Sequence, residues 1–514
     1  MFTNETSAIP PGSWGCVMPG AGSPRKVEVM HTLSRRRFMQ TTGLMGLMAA
    51  AAACGGTSGA GSGGSAGRLT WWDAQESGKE AKEALFRKFA ESPGGVPVEY
   101  THVSAAKFPQ ALQLAKQSKQ LPDIHVNVGI GAQVEQLIKD GWVAPVELGE
   151  AALKRLDGQL YEGIHTFEGK VYSWPIYHYR SYMAVTWFDT ELVAKAGLDP
   201  NAPPTTYDEF RAACAATQKA SGGDSHGLAW CIGMPIRLGF AIDKMAQAGG
   251  FEGADGCLFK TGEYAYHDDA FVNAIEFMLS LQKDGLIAPG SRSWSDDVAR
   301  GRWAAGAATY FISGPFTAGS TLETIPQWKD KLGVGPVLVP EPGKKVATYS
   351  GPREGTYWLS PTCKHPKEAG RLLGDYFVTD SYAVDLADAM LQPPSDMEAV
   401  AKSNAHPAYK KLVGWFAEQA YLCPAPVVRN PKGMTAYQAE TKEVTPGLGD
   451  IVQGAFTGDI PDYRKALKEL SDKMSAERDR AIAAAKAKGA ELSVDDWVFS
   501  NWKPEKDYTR EMYG

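Results

Sequence analysis

Cysteine is scarce in this chain, with seven residues in 514. None stands in a C-x-x-C pair or at a Cys/His spacing that would build a metal centre. No metal and no other cofactor is therefore expected. Past Cys54 five cysteines remain: Cys214, Cys231, Cys257, Cys363 and Cys423. Five is odd, so at least one is unpaired, and one disulfide is permitted without being identified. A strong charge of one sign is missing as well. The net charge is −6; residues 1–53 carry Arg25, Lys26, Arg35, Arg36 and Arg37 against Glu5 and Glu28, a net of +3, which leaves −9 for the rest. A mildly acidic body argues against nucleic acid as the main partner. Repeats and large low-complexity regions are absent, which removes the usual basis of a structural or adhesive role. No basic cluster with a Gly-rich helix start marks a phosphate site. No nucleophile triad appears, and nothing marks the carboxylate pair, about 5–10 Å apart, that a glycosidase needs. An enzyme is not expected.

What is present begins with an address. Residues 34–54 read SRRRFMQTTGLMGLMAAAAAC. The apolar run from Thr41 to Ala53 is too short to span a membrane and suits a signal peptide. Ser34-Arg35-Arg36-Arg37-Phe38-Met39 resembles the twin-arginine export motif, with Gln40 where Lys is usual. Ala51-Ala52-Ala53-Cys54 resembles a bacterial lipobox, with Ala51 where Leu is usual. Cys54 is thus the expected lipidation site, and residues 1–53 the signal peptide, whose true start is expected at Met30. Residues 55–67, GGTSGAGSGGSAG, behave as a flexible tether for a lipid-anchored domain. Gly63-Gly64-Ser65-Ala66-Gly67 fits an esterase pattern, but it has no strand before it and no helix after it.

At 514 residues two or more domains are expected. Residues 68–72 read as a strand, and Ala81, Leu85 and Phe89 recur at helical spacing until Pro93-Gly94-Gly95. A strand at 97–103, a helix with Pro109 in its first turn, a strand at 122–129 and a helix ending at Gly141 follow. Alternation of this kind predicts a parallel sheet with helices on its faces. Ligands sit at the C-terminal ends of such strands, which points to Asp73–Glu76 and Asn127–Gly129.

The blocks LTWWDA, KEALFRKFAES and VPVEYTHVSAAKFPQALQLAKQSKQLPDIHV resemble the first lobe of the extracellular solute-binding proteins of sugar-type ABC importers. FEGKVYSWPIYHYRSYMAVTWFDTELVAKAGLDPNAPPTTYDEF, GRWAAGAATYFISGPF, HPKEAGRLLGDYFVT and GDIVQGAFTGDIPDYRKALKEL follow in that family's order. The resemblance covers nearly all of 68–490. It implies an α/β, two-lobe periplasmic-binding-protein-like fold with crossover hinge strands. Lobe 1 would hold 68–184 and 357–408, and lobe 2 would hold 185–356 and 409–514. It also implies a monomer outside the cytoplasm, anchored by lipid to the outer face of the cytoplasmic membrane. Such a protein captures a carbohydrate in the interlobe cleft and hands it to ABC permease subunits.

The resemblance places candidate ligand residues at Trp72, Asp73, Gln75, Glu76 and Asn127, and on the first crossover at Tyr177, His178, Tyr179 and Arg180. Trp230, Trp294, Phe316, Arg353, Glu354 and Tyr357 follow on later loops, with Arg429 and Asn430 as an addition. The chemistry fits, because sugar C–H faces stack on Trp and Tyr while hydroxyls need Asp, Asn, Arg and amides. Trp71 and Trp187 are expected in the core. A second reading is a binding protein for another solute such as a polyamine, for which Asp73 and Glu76 would supply anions. An extracytoplasmic glycosidase is the remaining alternative.

Overall fold

Strand β1 (Leu69–Asp73) buries Leu69, Trp71 and Asp73 and leaves Thr70 and Trp72 half-buried, the alternation of a pleated strand. The computed structural model describes residues 67–75, 78–104, 107–127 and 134–513; the export signal, Cys54, the tether to Ala66 and Glu76 lie outside the described residues. Helix α1 (Lys79–Glu91) follows, then β2 (Val98–His102), α2 (Phe108–Gln117) and β3 (Ile124–His125). Both β2 and β3 run parallel to β1. Gly94, at φ +70°, turns the chain out of α1, and a Cβ on Gly95 would lie 1.9 Å from the Phe89 carbonyl oxygen. Pro109 occupies the first turn of α2, where its missing N–H costs nothing. The face α1 buries is Lys82, Phe86 and Phe89, not one centred on Ala81 and Leu85. The helix is rotated because Lys82 is needed inside.

The second sheet starts at β4 (Val185–Asp189). Helix α3 (Tyr207–Ala220) opens with the predicted capping box, the Thr206 hydroxyl accepting the Glu209 N–H while Glu209 accepts from Thr206. Then come β5 (His226–Ala229), α4 (Pro235–Ala248), β6 (Ala308–Ser313), α5 (Thr317–Thr324) and β7 (Leu332–Gly335). The sheet order is β7-β4-β6-β5, and every residue of β4 and β6 is buried. Such continuous burial belongs to central strands covered on both faces. Trp187 is fully buried here, as Trp71 is in the first sheet.

Strand β8 (Thr348–Ser350) precedes β9 (Trp358–Leu359), which joins the first sheet against β3. Helix α6 (Pro407–Gln419), β10 (Ala420–Leu422) and α7 (Tyr463–Ala487) complete the second lobe's side, with Leu467 and Leu470 of α7 buried. Two large apolar cores result. One gathers side chains from 69–176 and 357–386, the other from 182–339 and 387–470. The fold is thus two α/β lobes, crossed near 177–182, 350–357 and 386–387. Cys214, Cys231, Cys257, Cys363 and Cys423 are all free thiols, so the one disulfide the count permits is not formed. Among the described residues no helix is long and apolar enough to cross a membrane.

Candidate functional site

The parallel register pairs Trp72 with His125, which brings Gln75 and Asn127 to the same C-terminal sheet edge. At that edge a chain of polar contacts leads to the first crossover. The Lys82 ammonium donates to Asp73 Oδ2 at 2.6 Å and to Gln75 Oε1 at 2.7 Å. The Gln75 backbone N–H donates to Asp73 Oδ1 at 2.9 Å, and Gln75 Nε2 donates to the Tyr177 hydroxyl at 2.9 Å. Asp73 and Lys82 have side chains 0% and 1% exposed. The Asp73 carboxylate is therefore neutralised and enclosed. It seats Gln75 under Tyr177 and offers no free oxygen to a solute.

From Tyr177 the crossover turns three side chains into a shared arrangement. His178 lies against the Tyr179 ring, with centroids 4.3 Å apart. Its Nδ1 accepts the Arg180 N–H, and the His178 backbone N–H donates to the Pro393 carbonyl. A ring nitrogen that accepts must be unprotonated. Burial, helped by the Arg180 charge, lowers the His178 pKa to about 4, which keeps it so. The Tyr179 hydroxyl and the Arg180 guanidinium both donate to Asp507 Oδ2, at 3.0 and 2.5 Å. Burial raises the hydroxyl pKa of Tyr177 and Tyr179, so both remain donors.

Arg353 reaches in from the second crossover. Its Nε donates to the His178 carbonyl at 3.1 Å, and its Nη2 donates to Gln392 Oε1 at 2.6 Å and to Ser181 Oγ. Its carbonyl is held by His165 Nε2 at 2.8 Å, while His165 Nδ1 accepts the Tyr161 N–H at 3.0 Å. Tyr161, Tyr177, His178, Tyr179, Arg353 and Leu422 line a pocket of about 280 Å³. That is enough for part of a small organic solute.

On the second lobe, Phe316 follows β6 and carries the Arg237 guanidinium 5.0 Å above its ring. Arg237 Nε is enclosed without a partner among the described residues. Trp294 is half-buried against that lobe's core, Trp72 is half-buried against the other, and Glu354 is exposed. The amide oxygen and nitrogen of Asn127 are shielded and unpartnered among the described residues. Arg429 is held away from the pocket: its guanidinium sits 4.0 Å over the Phe499 ring and donates to the Val498 carbonyl. Asn430 caps the following helix through the Gly433 N–H.

Two candidates are core side chains. Tyr357 is 1% exposed, with its ring 4.7 Å from Trp71 and its hydroxyl 2.9 Å from the Tyr382 hydroxyl. Trp230 is 1% exposed and packs edge-on against Phe456 at 5.4 Å. Asp73 is likewise engaged by Lys82. Lys82, Tyr161, Arg237 and Asp507 were not anticipated. Arg237 had a signal, since Pro235 opens the next helix after β5. Asp507 had none, because 327 residues separate it from Arg180.

A search of curated protein sequences returned no match. Solved structures of similar fold include the GacH receptor of Streptomyces glaucescens, determined unliganded and with acarbose (17% identity, 80% of this chain and 98% of that one, TM-score 0.58). Maltose-bound T. maritima MalE3 (18% identity, 79% and 99%, TM-score 0.58) is another. The maltotriose-bound Thermus thermophilus maltotriose binding protein (21% identity, 82% and 100%, TM-score 0.55) is a third. At such identities the likeness is one of fold. The sequence profile of the bacterial extracellular solute-binding proteins matches residues 84–414, well over half of the chain. The chain belongs to the family of bacterial extracellular solute-binding proteins.

Proposed function

We propose that this protein captures a carbohydrate between its lobes and delivers it to the membrane subunits of an ABC importer. The observation that carries the reading is the ring-lined pocket at the first crossover, where Tyr161, Tyr177 and Tyr179 surround a space also bordered by Arg353. Aromatic rings offer stacking to sugar C–H faces, and neutral donors offer hydrogen bonds to hydroxyls. The solved proteins of similar fold named above, bound to acarbose, maltose and maltotriose, support the same class. The polyamine reading loses ground on one point. Asp73 is neutralised by Lys82 and Asp507 by Arg180, while Arg353 on the pocket wall adds positive charge. A polycation would meet the Arg353 guanidinium in the pocket, whose described lining holds no carboxylate.

In this reading Tyr177, His178, Tyr179 and Arg353 form the crossover part of the site. Gln75, Asn127 and Trp72 border it from the first lobe, whose core is drawn from 69–176 and 357–386. Phe316, Trp294 and Arg237 border it from the second lobe, whose core is drawn from 182–339 and 387–470, with Glu354 at the rim and Arg180 behind. The protein acts as a monomer without enzymatic turnover. It is exported by the twin-arginine route and held by lipid on Cys54 at the outer face of the cytoplasmic membrane.

The test is a titration of the purified protein with mono- and oligosaccharides and with polyamines, followed by tryptophan fluorescence and melting temperature. Saturable binding of one sugar class, with the sugar recovered unchanged, is expected. Tyr179→Ala is expected to weaken that binding roughly tenfold or more, the worth of about 1.4 kcal/mol, at little cost in melting temperature. A response to polyamines alone would overturn the carbohydrate reading.

A further inference from the structure

The last residues of the chain form no regular element beyond short turns, yet they are firmly placed. Phe499, Trp502 and Tyr508 are buried with Phe259, Tyr349 and Cys423 in a separate small core. From that anchor two charged side chains reach the pocket walls. Asp507 Oδ2 accepts from Tyr179 and Arg180, and Oδ1 accepts the Leu422 N–H at 2.7 Å. The Tyr508 N–H returns a bond to the Leu422 carbonyl at 2.8 Å. Arg510 donates to the Leu160 carbonyl and lays its guanidinium 4.2 Å over the Tyr161 ring.

Three of the residues that line the pocket are therefore held by one short segment: Tyr179, Leu422 and Tyr161. They come from the first crossover, from β10 and from a lobe 1 loop, which nothing local in sequence would keep in mutual register. The Arg180–Asp507 pair is sheltered, with side chains 19% and 27% exposed, so solvent weakens it less than a surface pair. The carboxylate spends three acceptor bonds on holding walls and points no free oxygen at a solute.

We propose that Asp507 and Arg510 are positioning residues of the ligand pocket: they fix its walls relative to one another and so set affinity without touching the solute. This rests on the crossover pocket being the binding site. Side chains held by a second layer of hydrogen bonds bind more tightly, because less ordering remains to be done on binding.

The test uses the full chain with Asp507→Asn, Asp507→Glu and Arg510→Ala, and two readouts. The first is amide hydrogen exchange without any sugar. Asp507→Asn is expected to speed exchange at 178–182 and 420–424 about tenfold or more, and Arg510→Ala to do so at 158–166, with the β1–α1 region unchanged. The second is affinity for maltotriose and the other sugars of the panel. Asp507→Asn is expected to weaken binding about tenfold, chiefly through faster dissociation, and Asp507→Glu to recover part of the loss. Unchanged exchange at these walls would overturn the proposal, as would altered exchange with unchanged affinity, which would leave the segment a plain structural tie. Arg510 is exposed, so its variant folds even if Asp507→Asn does not. A wild-type chain that binds no sugar would sink the carbohydrate reading, while exchange would still decide whether the segment holds the walls.

Discussion

Replacing Lys82 by Met is expected to destabilise the first lobe by about 3–5 kcal/mol, a large share of the roughly 5–15 kcal/mol that holds a typical domain together. The Asp73–Lys82 pair is wholly enclosed, with 2.6 Å between ammonium and carboxylate. Removing the cation leaves a buried carboxylate with one remaining bond among the described residues, the Gln75 N–H. The penalty is that of an uncompensated charge rather than the net worth of the pair. Asp73→Asn combined with Lys82→Met removes both charges and keeps an acceptor for that N–H. The double variant is expected to regain at least half of the loss. Guanidinium unfolding midpoints of wild type, both single variants and the double would measure it. A Lys82→Met protein within about 1 kcal/mol of wild type would refute the account. Lys82 also seats Gln75 under Tyr177, so whatever solute the pocket takes should bind more weakly to the single variant.

The second large effect is on pH. His165 and His178 each accept a backbone N–H at Nδ1, from Tyr161 and Arg180, and each is lowered by burial from 6.5 to about 4. In the unfolded chain both titrate near the ordinary value. Between pH 6.5 and about 4 the unfolded chain therefore binds protons that the folded one refuses. The stabilisation is fully present above pH 6.5 and is lost as the pH falls toward 4. A shift of this size corresponds to at most about 3 kcal/mol for each histidine. The expected result is a stability curve from pH 7 to pH 4 that falls more steeply for wild type than for His165→Gln or His178→Gln. Parallel curves would show that neither histidine must stay neutral. Because His165 holds the Arg353 carbonyl and Arg353 holds the His178 carbonyl, acid should loosen the second crossover together with the first.

Much of the first lobe could be read locally. The strand–helix alternation, Pro109 in a first turn, and the Gly94 stop follow from steric rules that act within a few residues. The capping box at Thr206 and Glu209 is of the same kind. The rotation of α1 was not readable, because a lysine among apolar neighbours looks like a break in the buried stripe. Only the position of Asp73 on the adjoining strand turns Lys82 inward. The fate of the tryptophans depended on contacts far along the chain. Trp230, in the apolar run LAWCI, is enclosed by Phe456, 226 residues later, while Trp294, among the polar neighbours of SRSWSDD, remains half-buried.

By itself the sequence determined the class of fold, the order of its blocks, the aromatic wealth of the first crossover and the family. These depend on periodicity, turn chemistry and short motifs, whose physics is local. Only the tertiary structure decided which polar groups are free. Asp73 is consumed by Lys82 nine residues on, Arg180 by Asp507 at a distance of 327 residues, and Tyr357 by a core built from two distant stretches. Charge neutralisation and burial depend on what lies near in space, and a pocket is made of whichever groups are left over when those pairings are complete.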